Sequence, residues 1–193
     1  ALLKINIPMN RDELAKLIRD LVTKVDDGEQ FVYWQVSRGT AIRTHAFAGD
    51  KANIWIMLRP CRLRDLYRKN RLISTEDTRF FHCNIKSLNL IPNILAMQKA
   101  TAAGADECVF HRGNIVTETA HSNISMLKDG KLVTHPLDNL ILAGVARKHL
   151  IEACRRFGIP VEERDYTLDE LRNADEIILT AAGSLCLSAS ELD

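Results

Sequence analysis

The most informative run of this chain is Phe81-His82-Cys83-Asn84-Ile85-Lys86-Ser87-Leu88-Asn89, which places a lysine among small polar residues. A second informative run lies downstream, Val116-Thr117-Glu118-Thr119-Ala120-His121-Ser122-Asn123. A lysine amine forms an imine with an aldehyde, and a carboxylate can pair with a protonated ring nitrogen. Neither run is specific alone, because most isolated lysines are solvated surface groups. Together, with Arg43 and His45 upstream, they favour a site for pyridoxal phosphate.

Charge and hydropathy argue against nucleic-acid and membrane partners. The chain has 193 residues, with 26 basic residues against 25 acidic ones and a formal net charge of +1. Partners of both kinds usually need a basic excess or patch. The locally basic stretch from Arg59 to Arg71 is interpreted as a solvated connector. No apolar run approaches the roughly 18 residues of a membrane helix, and the opening residues do not resemble a signal peptide.

The cysteines and histidines show neither disulfide nor metal-ligand spacing. The five cysteines are odd in number, widely scattered and without a C-x-x-C pair, which indicates reduced thiols in a cytoplasmic protein. Apart from His45, the histidines are interpreted as core or surface residues. We therefore expect no metal site.

The first part of the chain, residues 1–59, is predicted to be the C-terminal part of a small α+β domain. Residues 10–25 have helical periodicity, and Asn10 and Glu13 have the spacing of a capping box. Two aromatic and β-branched runs, 31–36 and 54–58, are typical of strands. The basic segment 60–70 is predicted to connect this domain to a larger one over residues 71–193.

The larger domain is predicted to mix short strands with a few helices. Strands are expected at 72–74, 80–82, 107–111 and 176–180, and a hairpin turns at Lys128-Asp129-Gly130 between 123–127 and 131–134. Helices are expected at 92–103 and 144–157, the second with Leu150, Cys154 and Phe157 on one stripe and Gly158 as its stop. Thr167 to Glu170 has capping-box spacing for a short helix. Without a regular βαβ rhythm, the pattern predicts an α+β fold.

Taken together, the motifs resemble the fold-type IV pyridoxal phosphate enzymes, and most of all the D-amino acid (D-alanine) aminotransferases. The similarity extends over essentially the whole chain and implies a two-domain α+β architecture that is incomplete here at both ends. The stretches that carry it are Val36-Ser37-Arg38-Gly39-Thr40, Arg43-Thr44-His45, Cys83 to Asn89, Thr117-Glu118, Ser122-Asn123, Thr134-His135-Pro136 and Asn139 to Arg147.

The resemblance implies a role for each cofactor-site residue. Lys86 would hold the cofactor through its imine and move the proton at the substrate Cα, and Glu118 would keep the pyridine nitrogen protonated. Leu142 would pack on the ring. The remaining implied cofactor-binding residues are Ser122, Asn123, Val145, Ala146 and Ala182.

One departure concerns the phosphate. Relatives have hydroxyl side chains where this chain has Ala146, Ala181 and Ala182. Backbone N–H groups can still bind phosphate there. Each missing hydroxyl removes a hydrogen bond to a charged group, worth about 1.5–3 kcal/mol, so weaker cofactor retention is expected.

The substrate side is predicted to depend on Arg43 and His45. Two positions apart in extended structure, they point the same way and suit the α-carboxylate of an amino acid. In the resembling family this pair reaches the neighbouring subunit's active site, which implies a homodimer. The expected substrates are a D-amino acid and a 2-oxo acid.

Three alternatives stay open at this point. A branched-chain L-amino acid aminotransferase or an aminodeoxychorismate-type lyase would use the same lysine and glutamate. A non-catalytic relative that only binds the cofactor is consistent with the missing hydroxyls. The Arg43/His45 pair favours the D-amino acid branch.

Overall fold

The first unit contains the predicted helix and the two predicted strands. The computed structural model describes residues 2–25, 28–42, 45–47, 51–62 and 65–193, and the chain divides into two compact units, Ala1–Leu63 and Arg64–Asp193. Helix α1 (Arg11–Val22) starts with the predicted capping box: Asn10 accepts from the N–H groups of Asp12 and Glu13, and Glu13 accepts from Asn10 N–H. It ends three residues before the predicted bound of 25.

Strands β1 (Gln30–Ser37) and β2 (Asn53–Pro60) form an antiparallel two-stranded sheet in this unit. Both contain the predicted runs and extend beyond them. The larger unit starts its first strand at Asn70. The connector role of residues 60–70, and the domain bounds 1–59 and 71–193, stay predictions.

The second unit is an eight-stranded mixed sheet in the order β5-β4-β3-β10-β9-β6-β7-β8, with three helices. Its strands and helices are β3 (Asn70–Glu76), α2 (Ile91–Ala102), β4 (Glu107–Arg112), β5 (Ile115–Thr119), β6 (Asn123–Lys128), β7 (Lys131–Thr134), α3 (Val145–Arg156), β8 (Val161–Glu163), α4 (Leu168–Arg172), β9 (Glu176–Ala181) and β10 (Leu185–Leu192). The mixed order confirms the predicted α+β class.

The sheet must curl, because β5 and β6 are close along the chain but distant in strand order. Four strands stand between them; in a flat sheet, five steps of about 4.8 Å would separate them by about 24 Å. The link from Thr119 to Asn123 can span at most about 14 Å. Curling therefore brings the end of β5 next to the start of β6, and β9 lies beside β6 with Asn123 paired to Thr180.

The core fills the inside of this curl. Its main cluster of buried residues comes from seven strands, helix α4 and the segment before α4: Leu72, Val109, Val116, Ile124, Met126, Val133, Tyr166, Leu168, Leu171, Leu179 and Leu187. Tyr166 is fully buried and satisfies its hydroxyl by donating to Ile124 O at 3.0 Å. Ala96 and Ala100 of α2 pack on Cys108, Phe110 and Ala120 in a second cluster.

Two sequence expectations need correction, and three strands were not predicted. Residues 80–82 form no strand but part of a loop, in which the Phe81 ring lies under the Arg112 guanidinium at 4.3 Å and Arg112 donates to Arg79 O. Phe157 is 78% exposed and does not belong to the buried stripe of α3, whereas Cys154 does. Strands β5, β8 and β10 had no prediction.

Candidate active site

Glu118 is the centre of the polar cluster that the curled sheet forms. It lies on β5, is only 7% exposed, and its carboxylate accepts from three donors. Oε2 accepts from Asn123 Nδ2 and from Leu142 N–H, each at 3.0 Å, and Oε1 accepts from Arg79 Nη1. Burial raises the pKa of Glu118, and the charge of Arg79 with the Leu142 N–H opposes that rise without cancelling it. Such a buried acceptor suits a cationic ring nitrogen.

Arg79 and Asp77 complete this cluster, and sequence reasoning missed both. The Arg79 side chain is 5% exposed and grips Asp77 with Nε at 2.9 Å and Nη2 at 2.8 Å. Burial alone would raise the pKa of Asp77, but the hydrogen bonds and charge of Arg79 lower it below the ordinary value. The available signal was an acid and an arginine two apart, seven residues before Lys86 and flanked by apolar runs.

Asn123 links Glu118 to the loop before α3. Its Nδ2 donates to Glu118 and also to Leu142 O at 2.8 Å, and the Gly144 N–H donates to the same carbonyl at 2.8 Å. A Cβ on Gly144 would stand 2.0 Å from Asn123 Oδ1. A glycine is therefore required where this loop turns into the helix.

The first turn of α3 offers a place for an anion. Gly144 is its N-cap and makes no side-chain capping bond, and no acidic residue lies in the first turn. The N–H groups of a helix start point outward and favour negative charge. Val145 is exposed and Ala146 is buried. Exposed Ala182 lies in the turn after β9, two residues beyond the partner of Asn123.

Ser122 is only half-buried and its hydroxyl already has protein partners. Its Oγ lies 2.6 Å from Thr119 Oγ1 and 3.3 Å from Glu107 Oε2. These contacts hold the short link between β5 and β6. They leave its predicted position near a phosphate a prediction.

Lys86 lies in the loop between β3 and α2 and is exposed. Among the residues that the structure describes, its amine has no hydrogen bond or ion pair. The loop is fastened beside the Glu118 cluster: Cys83 N–H donates to Asn139 O at 2.9 Å, and Asn139 Nδ2 donates to Phe81 O at 3.0 Å. The lysine is thus exposed on a loop whose neighbouring backbone is hydrogen-bonded in place.

Of the predicted substrate pair, the structure describes only His45. Arg43 lies outside the described residues. His45 is exposed in the first unit. The carboxylate-binding role of both stays a prediction.

Over the described ranges, no three His, Cys, Asp or Glu side chains come together as metal ligands. No helix in the described part of the chain is long and apolar enough to cross a membrane. All five cysteines are unpaired, and three of them (Cys83, Cys108 and Cys154) are buried.

Comparisons with a family model and with a curated relative both identify aminotransferases. The family model of amino-transferase class IV matches residues 1–192. A D-alanine aminotransferase of Listeria monocytogenes serotype 1/2a (strain 10403S) is 40% identical over 91% of this chain and 63% of its own length. The chain thus spans a little under two thirds of that relative.

Two solved structures share the fold. One, from Legionella pneumophila and provisionally assigned as a 4-amino-4-deoxychorismate lyase, is 26% identical with a TM-score of 0.92 and covers 100% of this chain and 72% of its own. The other is a branched-chain amino acid aminotransferase of Thermobaculum terrenum in its PLP form, 24% identical with a TM-score of 0.86. The similarity covers 100% of this chain and 66% of that one. At 24% identity this second similarity supports the fold alone.

Proposed function

The chain belongs to the amino-transferase class IV family, and on that premise we propose that the protein transfers an amino group from a D-amino acid, such as D-alanine, to a 2-oxo acid with pyridoxal phosphate. The observation that carries the proposal is the buried Glu118 carboxylate with its three donors. The 40% identity to a D-alanine aminotransferase supports the choice of substrate.

The residues present fit the cofactor. The Glu118 carboxylate is a buried acceptor of the kind that a protonated ring nitrogen would need, and α3 starts without a capping side chain or acidic residue, which would favour a phosphate there. Bound pyridoxal phosphate would supply an electron-accepting ring that stabilises negative charge at the substrate Cα.

Within that site Lys86 would have two duties. Its amine would hold the aldehyde group of the cofactor. Once released, the same amine would act as the base that removes the proton from the substrate Cα and as the acid that returns it to the former aldehyde carbon of the cofactor. Glu118 would keep a proton on the ring nitrogen throughout. Asn123 would act through Glu118, because its amide is already bonded to that carboxylate.

Phosphate binding would depend on backbone groups more than on hydroxyls. Val145 and Ala146 would contribute the N–H groups of the first turn of α3, and Ala182 those of the turn after β9. Leu142 would cover the ring, and Ser122 would stay near the phosphate as part of the β5–β6 link.

The substrate side and the assembly extend the proposal. Arg43 and His45 would bind the α-carboxylate and so decide which hand of amino acid is accepted. We propose that they do so across a homodimer interface and that the protein works in the cytoplasm. The unpaired cysteines are compatible with a reducing compartment.

A lyase acting on an aminodeoxychorismate-type substrate is the second candidate, favoured by the Legionella structure with its TM-score of 0.92. The two reactions differ in what happens to the amino group. A transaminase leaves it on the cofactor in the first half-reaction, whereas a lyase does not.

The test is a half-reaction screen of the full-length protein. D-alanine should bleach the visible absorbance of the bound cofactor and release one 2-oxo acid, whereas L-leucine and aminodeoxychorismate should not. Lys86→Ala should lack both the absorbance and the reaction, and Lys148→Ala, at an exposed lysine of α3, should retain both. Bleaching by L-leucine, or turnover of aminodeoxychorismate without bleaching, would replace the proposal by one of its alternatives.

A further inference from the structure

Glu118 belongs to a cluster of four charged residues, and the proposed reaction assigns a role only to Glu118. Its members are Asp77, Arg79, Arg112 and Glu118, two acids and two bases, so the cluster is neutral as it stands. Their side chains are 0%, 5%, 19% and 9% exposed. Burying so many charges is costly unless each is paired and hydrogen-bonded. The burial of these four charges therefore suggests a functional role for the cluster.

Arg79 is held so that one nitrogen is left for Glu118. Its Nε and Nη2 take the two oxygens of Asp77, and Nη2 also donates to Leu140 O at 3.1 Å. The Phe110 ring lies 4.6 Å from the guanidinium carbon. With the fork fixed in this way, Nη1 is directed at Glu118 Oε1.

Asp77 is itself fixed from several sides. It accepts from Arg79 N–H and Thr117 Oγ1, each at 3.0 Å, and from Arg112 Nε at 3.3 Å. Arg79 is thus shared between two carboxylates, and Arg112 pairs with Asp77 rather than with Glu118. Within the described residues Glu118 contacts one shared cation, so a second cation can be accommodated at the same carboxylate.

The hydrogen-bond count on Glu118 shows where that cation would bind. Oε2 already accepts from Asn123 and Leu142, whereas Oε1, among the residues that the structure describes, accepts from Arg79 alone. A carboxylate oxygen has about two acceptor sites, so Oε1 retains one. A protonated ring nitrogen needs such an acceptor on an ionised carboxylate.

Resting on the proposed function, we propose that Arg79, clamped by Asp77, is a positioning residue that keeps Glu118 ionised and presents Oε1 to the ring nitrogen of the cofactor. Lysine could not replace it, because a single ammonium cannot span Asp77 and Glu118 with the same fixed geometry. Removing Arg79 would leave Glu118 buried beside Asp77 with no cation in contact, and Glu118 would take up a proton.

The first experiment measures that proton without any reaction. Infrared spectra of the full-length apoprotein should show the C=O stretch of a protonated carboxyl group in Arg79→Gln that is lost in Arg79→Gln/Glu118→Gln. The wild type should lack this band. Arg147→Gln is the matched control: Arg147 is equally buried, at 3% exposed, but pairs with Glu163, which is 34% exposed, so adding Glu118→Gln to it should remove no such band.

The second experiment uses the holoprotein and a variant that retains the positive charge. The ¹⁵N resonance of labelled cofactor should indicate a protonated ring nitrogen in the wild type and an unprotonated one in Arg79→Lys and Arg79→Gln. The D-alanine half-reaction of Arg79→Gln should slow on the order of 10²-fold, the scale for losing a preorganised electrostatic partner. Adding Glu118→Gln to Arg79→Gln should slow the half-reaction no further, because each substitution alone already removes the same function, an ionised carboxylate at the ring nitrogen.

The results separate this inference from the proposed function. If Arg79→Gln shows no carboxyl band and Arg79→Lys retains a protonated ring nitrogen, Arg79 is structural and the inference is overturned, even in an active transaminase. If Arg79→Gln does not fold, the ¹⁵N resonance of Arg79→Lys decides alone. If the wild type fails to react with D-alanine but the infrared result appears, only the proposed function is lost.

Discussion

Replacing Gly144 by alanine should destabilise the larger unit, although its backbone angles are ordinary. With φ of −66° and ψ of 135°, an alanine fits the backbone without strain. The new Cβ, however, would stand 2.0 Å from Asn123 Oδ1. Asn123 must then move, and both hydrogen bonds of its Nδ2 are lost or stretched, one to Glu118 and one to Leu142 O.

The size of the effect follows from those two bonds. The bond to the carboxylate is worth about 1.5–3 kcal/mol and the bond to the carbonyl about 1 kcal/mol. Alanine lowers the entropy of the unfolded chain, which offsets about 0.4–1 kcal/mol. A net loss of about 1–4 kcal/mol in the free energy of unfolding remains. At about 3 °C per kcal/mol, the thermal midpoint should fall by roughly 3–12 °C.

Calorimetry of the full-length apoprotein would measure the midpoint. Gly28→Ala is the control, because its Cβ would meet no described atom within 4 Å; it should leave the midpoint unchanged or raise it slightly. In an Asn123→Ala background the Gly144→Ala cost should vanish, since the clashing oxygen is gone. A Gly144→Ala protein as stable as its parent would refute the claim that Asn123 is fixed against this glycine.

Three further predictions concern the reaction and one helix. Glu118→Gln should keep the cofactor bound but slow Cα proton removal by about 10²-fold or more in a rapid-mixing half-reaction, because the ring loses its charged partner; a near-normal rate would make the acid structural only. Arg43→Ala should lower kcat/KM for D-alanine by about 30- to 5,000-fold, from about 2–5 kcal/mol at ~1.4 kcal/mol per decade. A bulky amine without a carboxylate should be much less affected, and equal losses would count against D-specific binding. Thr167→Ala should cost about 1 kcal/mol in urea unfolding, because it removes the capping bond to Glu170 N–H at 3.1 Å; an unchanged midpoint would show that α4 does not need its cap.

Features that depend on neighbouring residues could be predicted from the sequence. The turn Asp129-Gly130 has positive φ at both positions, 48° and 73°, and joins β6 to β7 as the Asp-Gly pair indicates. The capping boxes at Asn10 and Thr167 are likewise confirmed. In each case the signal lies within four residues, so tertiary structure does not override it.

Features that depend on distant residues could not be predicted in this way. Apolar and polar residues alternate poorly in β10, so its sequence does not indicate a strand. The segment becomes a strand by pairing in the sheet, where Leu192 lies opposite Leu72 of β3. The aromatic run 80–82 has strand composition, yet Arg112 from β4 contacts it and the backbone turns into a loop. Arg79 was missed for the same reason, because its partner Glu118 lies on β5 and comes close only when β3 and β5 both pair with β4. The family resemblance supplied Lys86 and Glu118, and it did not supply the charges that surround Glu118.

The pairing of β3 with β10 has a consequence for how the protein is made. Strand β3 lies in the middle of the sheet, between β4 and β10, and the Asp193 carboxylate bonds to Ser74 N–H at 2.6 Å. During translation β3 leaves the ribosome long before β10 and must wait for its neighbour with one edge unpaired. An open edge invites pairing with another chain. We therefore expect nascent chains that stop before Leu185 to depend on chaperones, and release from them to coincide with the emergence of β10.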